Sequence, residues 1–311
     1  MARGSRTRRR SWTRNLVVPL VMVLLLSGVA GGSYLALQRY GSPAHAGTCV
    51  ASGLGTTHRY TADRAQNAAL ISAVAVDRGL PPRAASIALA TAYQESQLRN
   101  LDYGDRDSLG LFQQRPSQDW GTPEQIMDPI YATNAFYDAL ANIPDYETDS
   151  INDVAQKVQR SGHPEAYRDH ETEGRIYASA LTGKSGANLV CILEDASGTA
   201  SPQPVRAAVA RDFSRLTNAG KVSTSLAKTT AVSARVPRGA GATAVVIDPH
   251  GSTDLGWALA NWAVANAAAD GIIQVSYQGR VWDRSLRGSD ARTWGSVADR
   301  ADGKVVVLLA G

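Results

Sequence analysis

From Leu16 to Leu37 the chain runs 22 residues without a charged side chain. As a helix this run measures roughly 33 Å, enough to cross a hydrocarbon core of about 30 Å. Six arginines (Arg3, Arg6, Arg8, Arg9, Arg10, Arg14) precede it and no acid accompanies them. By the positive-inside rule residues 1–15 form a cytoplasmic basic tail, residues 16–37 a transmembrane helix, and the remainder folds outside. The expected location is the cell membrane, single-pass, with extracellular C-terminal domains. Ala44-His45-Ala46 has the small-x-small form of a signal-peptidase site, so the alternative is a protein secreted after cleavage near Ala46.

Charge and cysteine content narrow the function classes. Removing those six arginines from the 32 Lys and Arg leaves 26 against 28 Asp and Glu, so the net charge of +4 belongs to the terminal tail. A nucleic-acid surface would need its Lys and Arg clustered in the folded part, and nucleic acid is not an expected partner. Cys49 and Cys191 are the only cysteines and both lie on the exported side, which predicts a disulfide closing a loop of about 140 residues; two buried thiols are the alternative. No dinucleotide, P-loop or nucleophile-elbow motif is present, and the five histidines have no metal-ligand spacing, so neither cofactor nor metal is expected.

The hydrophobic pattern divides the exported part. Tyr60 to Leu181 is rich in alanine with apolar residues spaced by three and four, as in Ala69, Leu70, Ala73 and Val74, which predicts mostly helix with Thr61 or Asp63 as an N-cap. Residues 48–193 are read as one helical domain and residues 194–204, with their small residues and prolines, as a linker. Residues 205–311 then comprise a helix, a flexible stretch over Lys221 to Ala242, and a small α/β module. In that module strands are expected at Thr243–Ile247, Ile272–Tyr277, Arg280–Trp282 and Val305–Leu309, with a helix over Leu255–Ala267. The expected fold class is a mainly α domain plus a small C-terminal α/β domain after an N-terminal transmembrane segment. The module's four tryptophans include Trp257 and Trp262, five apart on the expected helix, which favours core packing for at least one.

Chemistry concentrates between Pro81 and Leu111. The prolines open a helix where missing N–H groups cost nothing, and it runs to Glu95-Ser96. Positions three, four and seven before Glu95 are Ala92, Thr91 and Ala88, so the carboxylate projects from a small, mostly apolar face at the negative end of the helix. Both features disfavour ionisation and suit a general acid. Asp102, Asp105 and Asp107 form an acidic loop, read as turn structure ahead of a second carboxylate or a calcium site.

Glu95-Ser96 is followed, fifteen positions after the Glu, by Gly110-Leu111-Phe112-Gln113. This resembles the E-S … G-L-M-Q signature of the goose-type lysozyme and soluble lytic transglycosylase group, with Phe112 in place of Met. Asp107 to Ser117 (DSLGLFQQRPS) with Trp120-Gly121-Thr122 resembles an actinobacterial exported cell-wall subset, and the likeness spans about Gln66 to Tyr167. It implies a lysozyme-like helical domain with a glycan cleft, in which Glu95 protonates the MurNAc-GlcNAc oxygen and then acts as base. The implied substrate contacts are Ser96, Gly110, Leu111, Phe112 and Gln113, and the implied partner is the peptidoglycan strand. The chain departs from the group at Ala132, where Asn is usual in D-P-x-x-N-I, and at Gln159, which stands for the Tyr of A-Y-N-A-G in Val158–Gly162. Gln159 and Tyr167 are therefore added as substrate-binding candidates, Tyr167 as a substitute tyrosine, with Tyr103, Tyr131 and Tyr137 as lesser ones. The expected activity is that of a lytic transglycosylase; a lysozyme-type hydrolase and a non-catalytic wall-binding protein are the alternatives.

Overall fold

Two strands open the fold ahead of the helices. β1 (Gly47–Gly53) and β2 (Thr56–Thr61) form a hairpin whose turn residues, Leu54 and Gly55, both have positive φ, the conformation that matches the twist of a two-residue hairpin. β3 (Leu189–Leu193) pairs with the other edge of β1, giving the antiparallel order β2-β1-β3. This sheet was not anticipated, because the strands are short and the segment before Tyr60 has no two-residue alternation. It places Cys49 directly opposite Cys191, and the two form the expected disulfide. The computed structural model describes residues 47–160, 165–229, 242–297 and 303–311. The basic tail and the apolar run of residues 16–37 lie outside these, and among the described residues no helix is long and apolar enough to cross a membrane.

The helical part follows the alanine pattern. It comprises α1 (Ala62–Asp77), α2 (Pro82–Ser96), α3 (Pro123–Met127), α4 (Pro129–Ala141), α5 (Ile151–Gln159) and α6 (Glu171–Leu181). Thr61 is the N-cap of α1 by position, but its side chain makes no capping hydrogen bond; Thr122 does cap α3, in a reciprocal box with Gln125. The alanines permit close helix contact, and the packing of α6 on α2 shows why. A Cβ at Gly174 would stand 2.8 Å from the Ser86 carbonyl oxygen, so any side chain there would push the two helices apart.

Past β3 the chain forms α7 (Pro202–Asp212), α8 (Ser214–Asn218), β4 (Ser223–Thr229), β5 (Ala242–Asp248), α9 (Thr253–Asp270), β6 (Ile272–Tyr277), β7 (Arg280–Asp283), β8 (Gly295–Ser296) and β9 (Val305–Leu309). The strands make one antiparallel sheet in the order β4-β5-β9-β6-β7-β8, so the last strand enters between two earlier ones. Two boundaries differ from the sequence reading. Pro202 to Pro204 belong to the first turn of α7, where proline is tolerated, and the preceding segment is tied down by Ala200 N–H donating to Ala310 O at 2.9 Å. Ser223–Thr229, read as part of a flexible stretch, is an edge strand; an edge strand needs little apolar content, and Ser, Thr and Lys serve there. Residues 230–241 lie outside the described residues.

α9 is mostly apolar around its circumference, with Asn261 and Asn266 hydrogen-bonded to backbone carbonyls, and is buried continuously from Gly256 to Ala267. It is covered by α1, α6 and β3 on one side and by β6 and β9 on the other. Both Trp257 and Trp262 are core residues, and the indole N–H groups tie this part of the chain to its surroundings. Trp262 donates to Asp212 Oδ2 at 2.9 Å, Trp282 to Cys191 O at 3.0 Å and Trp294 to Leu189 O at 2.8 Å. The last two join the C-terminal sheet to β3. Trp282→Phe keeps most of the apolar volume but leaves a buried carbonyl without its donor, and should lower unfolding stability by about 1–3 kcal/mol in urea titrations. An unchanged midpoint would mean that the bond contributes nothing.

Candidate active site

Glu95 sits in the last turn of α2, which Gln97 ends in the left-handed conformation with φ 54°. Ala88, Thr91 and Ala92, the residues beneath it, are fully buried, and Glu95 itself is half-buried. Thr91 keeps that face effectively apolar by turning its hydroxyl to the Ile87 carbonyl at 2.8 Å. Burial raises the Glu95 carboxyl above its ordinary value near 4.5, while hydrogen bonds from Tyr167 and Gln159 oppose that rise. Among the described residues no other carboxylate enters this balance.

Tyr167 is the principal contact. Its hydroxyl donates to Glu95 Oε1 at 2.7 Å, and the ring is 1 % exposed, so the donor is held in place by packing. Its backbone N–H donates to Asn152 Oδ1 at 3.2 Å, and Asn152 N–H in turn donates to Glu171 Oε1 at 3.0 Å. Three residues on, the His170 ring bridges Gln94 Oε1 at 2.9 Å and Glu173 Oε1 at 2.8 Å, fastening the turn after Tyr167 to the residue beside Glu95. Sequence reasoning missed Asn152, Gln94 and His170. Their polarity at the ends of elements is common to many surface residues, and only the folded backbone directs them here.

The segment from Gly110 to Gln113 is tied to the elements that carry Glu95 and Gln159. Ser96 Oγ donates to Leu111 O at 2.7 Å, and Gln159 Nε2 donates to Phe112 O at 2.8 Å. Ser96 is 5 % exposed, so the structure places it as a tie between helix and loop. Leu111 and Phe112 have fully buried side chains, Phe112 stacking on Phe136 with centroids 4.6 Å apart, so neither side chain is available to a ligand. Gly110 has φ +76°, and a Cβ there would stand 2.8 Å from the Ile126 carbonyl oxygen, which accounts for glycine at this position. Gln113 also has positive φ, and its side chain bonds Tyr103 O and Gly110 O, both at 3.3 Å.

The other candidates separate from the carboxylate. Tyr137 donates to Ile71 O in the core, Tyr131 lies against Gly121, and Tyr103 is a solvent-facing ring, 68 % exposed. Asp107 accepts from Arg115 Nε at 2.7 Å and from Ser117 N–H at 2.9 Å, contacts that hold its carboxyl well below the usual carboxylate range. It is a loop staple. Among the described residues no group of acidic, His or Cys side chains has the arrangement of a metal site. Ser161 and Gly162 of the Val158–Gly162 segment lie outside the described residues.

This geometry can hold a proton on Glu95 and return the group to an ionised state stabilised by two donors. Tyr167→Phe removes the donor that favours the ionised form, so the Glu95 pKa should rise further. The alkaline limb of a pH–rate profile, where the acid is lost, should then move to higher pH; a limb that stays or moves down would refute the assignment. Comparison with family models and with curated proteins returned no match.

Proposed function

We propose that this protein cleaves the MurNAc-GlcNAc bond of peptidoglycan as a lytic transglycosylase, with Glu95 as its single acid and base. The observation that carries the reading is a half-buried carboxyl, raised by burial, receiving the Tyr167 hydroxyl at 2.7 Å, with no carboxylate among the described residues shifting it. Glu95 gives its proton to the glycosidic oxygen, and the C1–O bond breaks. The ionised Glu95 then takes the proton of the MurNAc C6 hydroxyl as that oxygen bonds C1, leaving a 1,6-anhydro end. Direct hydrolysis would ordinarily use a second carboxylate to activate water or to act as nucleophile. Tyr167 fills the position expected of the group's missing tyrosine in chemical terms, since it stabilises the ionised Glu95 between the two steps. The glycan lies along the loop of residues 110–113 that is tied to the Glu95 helix, and the apolar run of residues 16–37 or its cleavage delivers the enzyme to the cell wall. Mass spectrometry of digested peptidoglycan tests the reading. Anhydro-MurNAc ends are expected; reducing MurNAc ends would assign a hydrolase, and an undigested wall a binding protein.

A further inference from the structure

The opposite end of α2 borders a cavity, about 20 Å of helix away from Glu95. It has a volume of about 420 Å³ and is lined by Arg83, Arg175 and Lys184 among serine hydroxyls, with no Asp or Glu in its wall. We propose that this pocket binds the phosphate group of a phosphate ester. Of the nearby carboxylates, Asp149 accepts from Lys157 at 2.6 Å, while Asp254 forms an ion pair with Lys184 itself, so the unneutralised cations of the pocket are its two arginines. Arg83 is anchored by backbone carbonyls alone, donating through Nε to Tyr146 O at 2.9 Å and through Nη2 to Asp149 O. Its charge is thus fixed in position and not neutralised. The exposed guanidinium of Arg175 has no hydrogen bond or ion pair among the described residues.

The hydroxyls are gathered by one tight turn. The backbone N–H groups of Lys184 and Ser185 both donate to Ser179 O, at 2.8 and 3.1 Å, which folds Ser179, Lys184 and Ser185 onto one wall. Gly183 makes the turn with φ +80°, where a Cβ would overlap the Asp254 carbonyl. With Lys184 paired to Asp254 and part of Arg83 bound to carbonyls, the free donors are the Arg175 guanidinium and the remaining N–H groups of Arg83, two positive charges that a phosphate ester, with three terminal oxygens and up to two negative charges, matches better than a singly charged carboxylate. Arginine at two of the positions also suits an oxyanion that is bound bidentately.

The test is calorimetric titration of the full chain with inorganic phosphate and with glycerol 1-phosphate, with acetate at equal ionic strength as control. Saturable binding of both phosphates is expected, with acetate at least tenfold weaker. Arg175→Ala removes a side chain that bonds nothing in the fold and should weaken phosphate binding about tenfold with an unchanged melting temperature. Arg83→Lys keeps the charge, loses the planar fork, and should also weaken it. Absence of saturable binding, equal binding of acetate, or full affinity in Arg175→Ala would overturn the proposal. Glu95→Gln should bind phosphate like the parent, so this site stands or falls independently of the glycan chemistry.

Discussion

Glu95→Gln is expected to lower the proposed peptidoglycan cleavage by about a thousandfold, within the range that a positioned acid and base contributes. The amide keeps the size of the side chain and can still meet Tyr167 and Gln159, but it cannot deliver a proton. Stability should move the other way. Because burial raises the folded-state pKa above the ordinary value near 4.5, the native state holds this proton more tightly than the unfolded chain. The stabilisation from Glu95 is therefore complete below about pH 4.5 and is lost as pH rises through the raised folded value. At neutral pH the uncharged Gln variant should be at least as stable as the parent. A folded variant that digests the wall at the parental rate would remove Glu95 from the mechanism.

The second large effect is expected at the disulfide. Cys49 and Cys191 are separated by 142 positions, and both are buried where β1 meets β3. Closing a loop of that length restricts the unfolded chain by about 4–5 kcal/mol in the chain-entropy account. The double variant Cys49→Ser, Cys191→Ser should thus melt roughly 10 °C lower by calorimetry, given the few degrees per kcal/mol usual for chains of this size. The native strand pairing should persist, because other bonds fasten β1 as well: the Tyr177 hydroxyl donates to Cys49 O at 2.8 Å and accepts from Tyr60 N–H at 3.1 Å. A melting temperature within a degree or two of the parent would show that these contacts suffice without the bridge.

The two outcomes also separate function from folding in the helical part. Glu95 and the disulfide lie on different elements, so loss of the bridge should reduce the folded population without changing the pH dependence of what remains folded. The Tyr167→Phe variant should show the reverse, a displaced pH profile on a nearly unchanged melting curve.

Periodicity made the regular elements legible. The spacing of alanines announced α1 and α2, Pro81-Pro82 announced where α2 begins, and β6, β9 and the turn at Gln278-Gly279 were read at nearly their observed bounds. These signals are local, since each depends on residues a few positions apart. The small hairpin of β1 and β2 escaped because two short strands with Gly, Ser and Thr carry too little alternation. β4 escaped because an edge strand with an exposed face is not required to be apolar. The tryptophans were visible, but which carbonyls they would meet was not.

By itself the sequence determined where Glu95 lies on its helix, which apolar residues underlie it, and which two cysteines can pair. Only the tertiary structure decided that Tyr167, 72 positions away, donates to that carboxylate, that Ser96 is a tie to the loop, and that β9 enters between β5 and β6. The physical reason is that local spacing is set by backbone geometry, whereas distant residues meet only after loop closure has been offset by the burial of the whole core. Glu95 can be found by counting along a helix, but the environment that buries it and supplies its two donors exists only when α2, α5 and the segment of Tyr167 have closed around it.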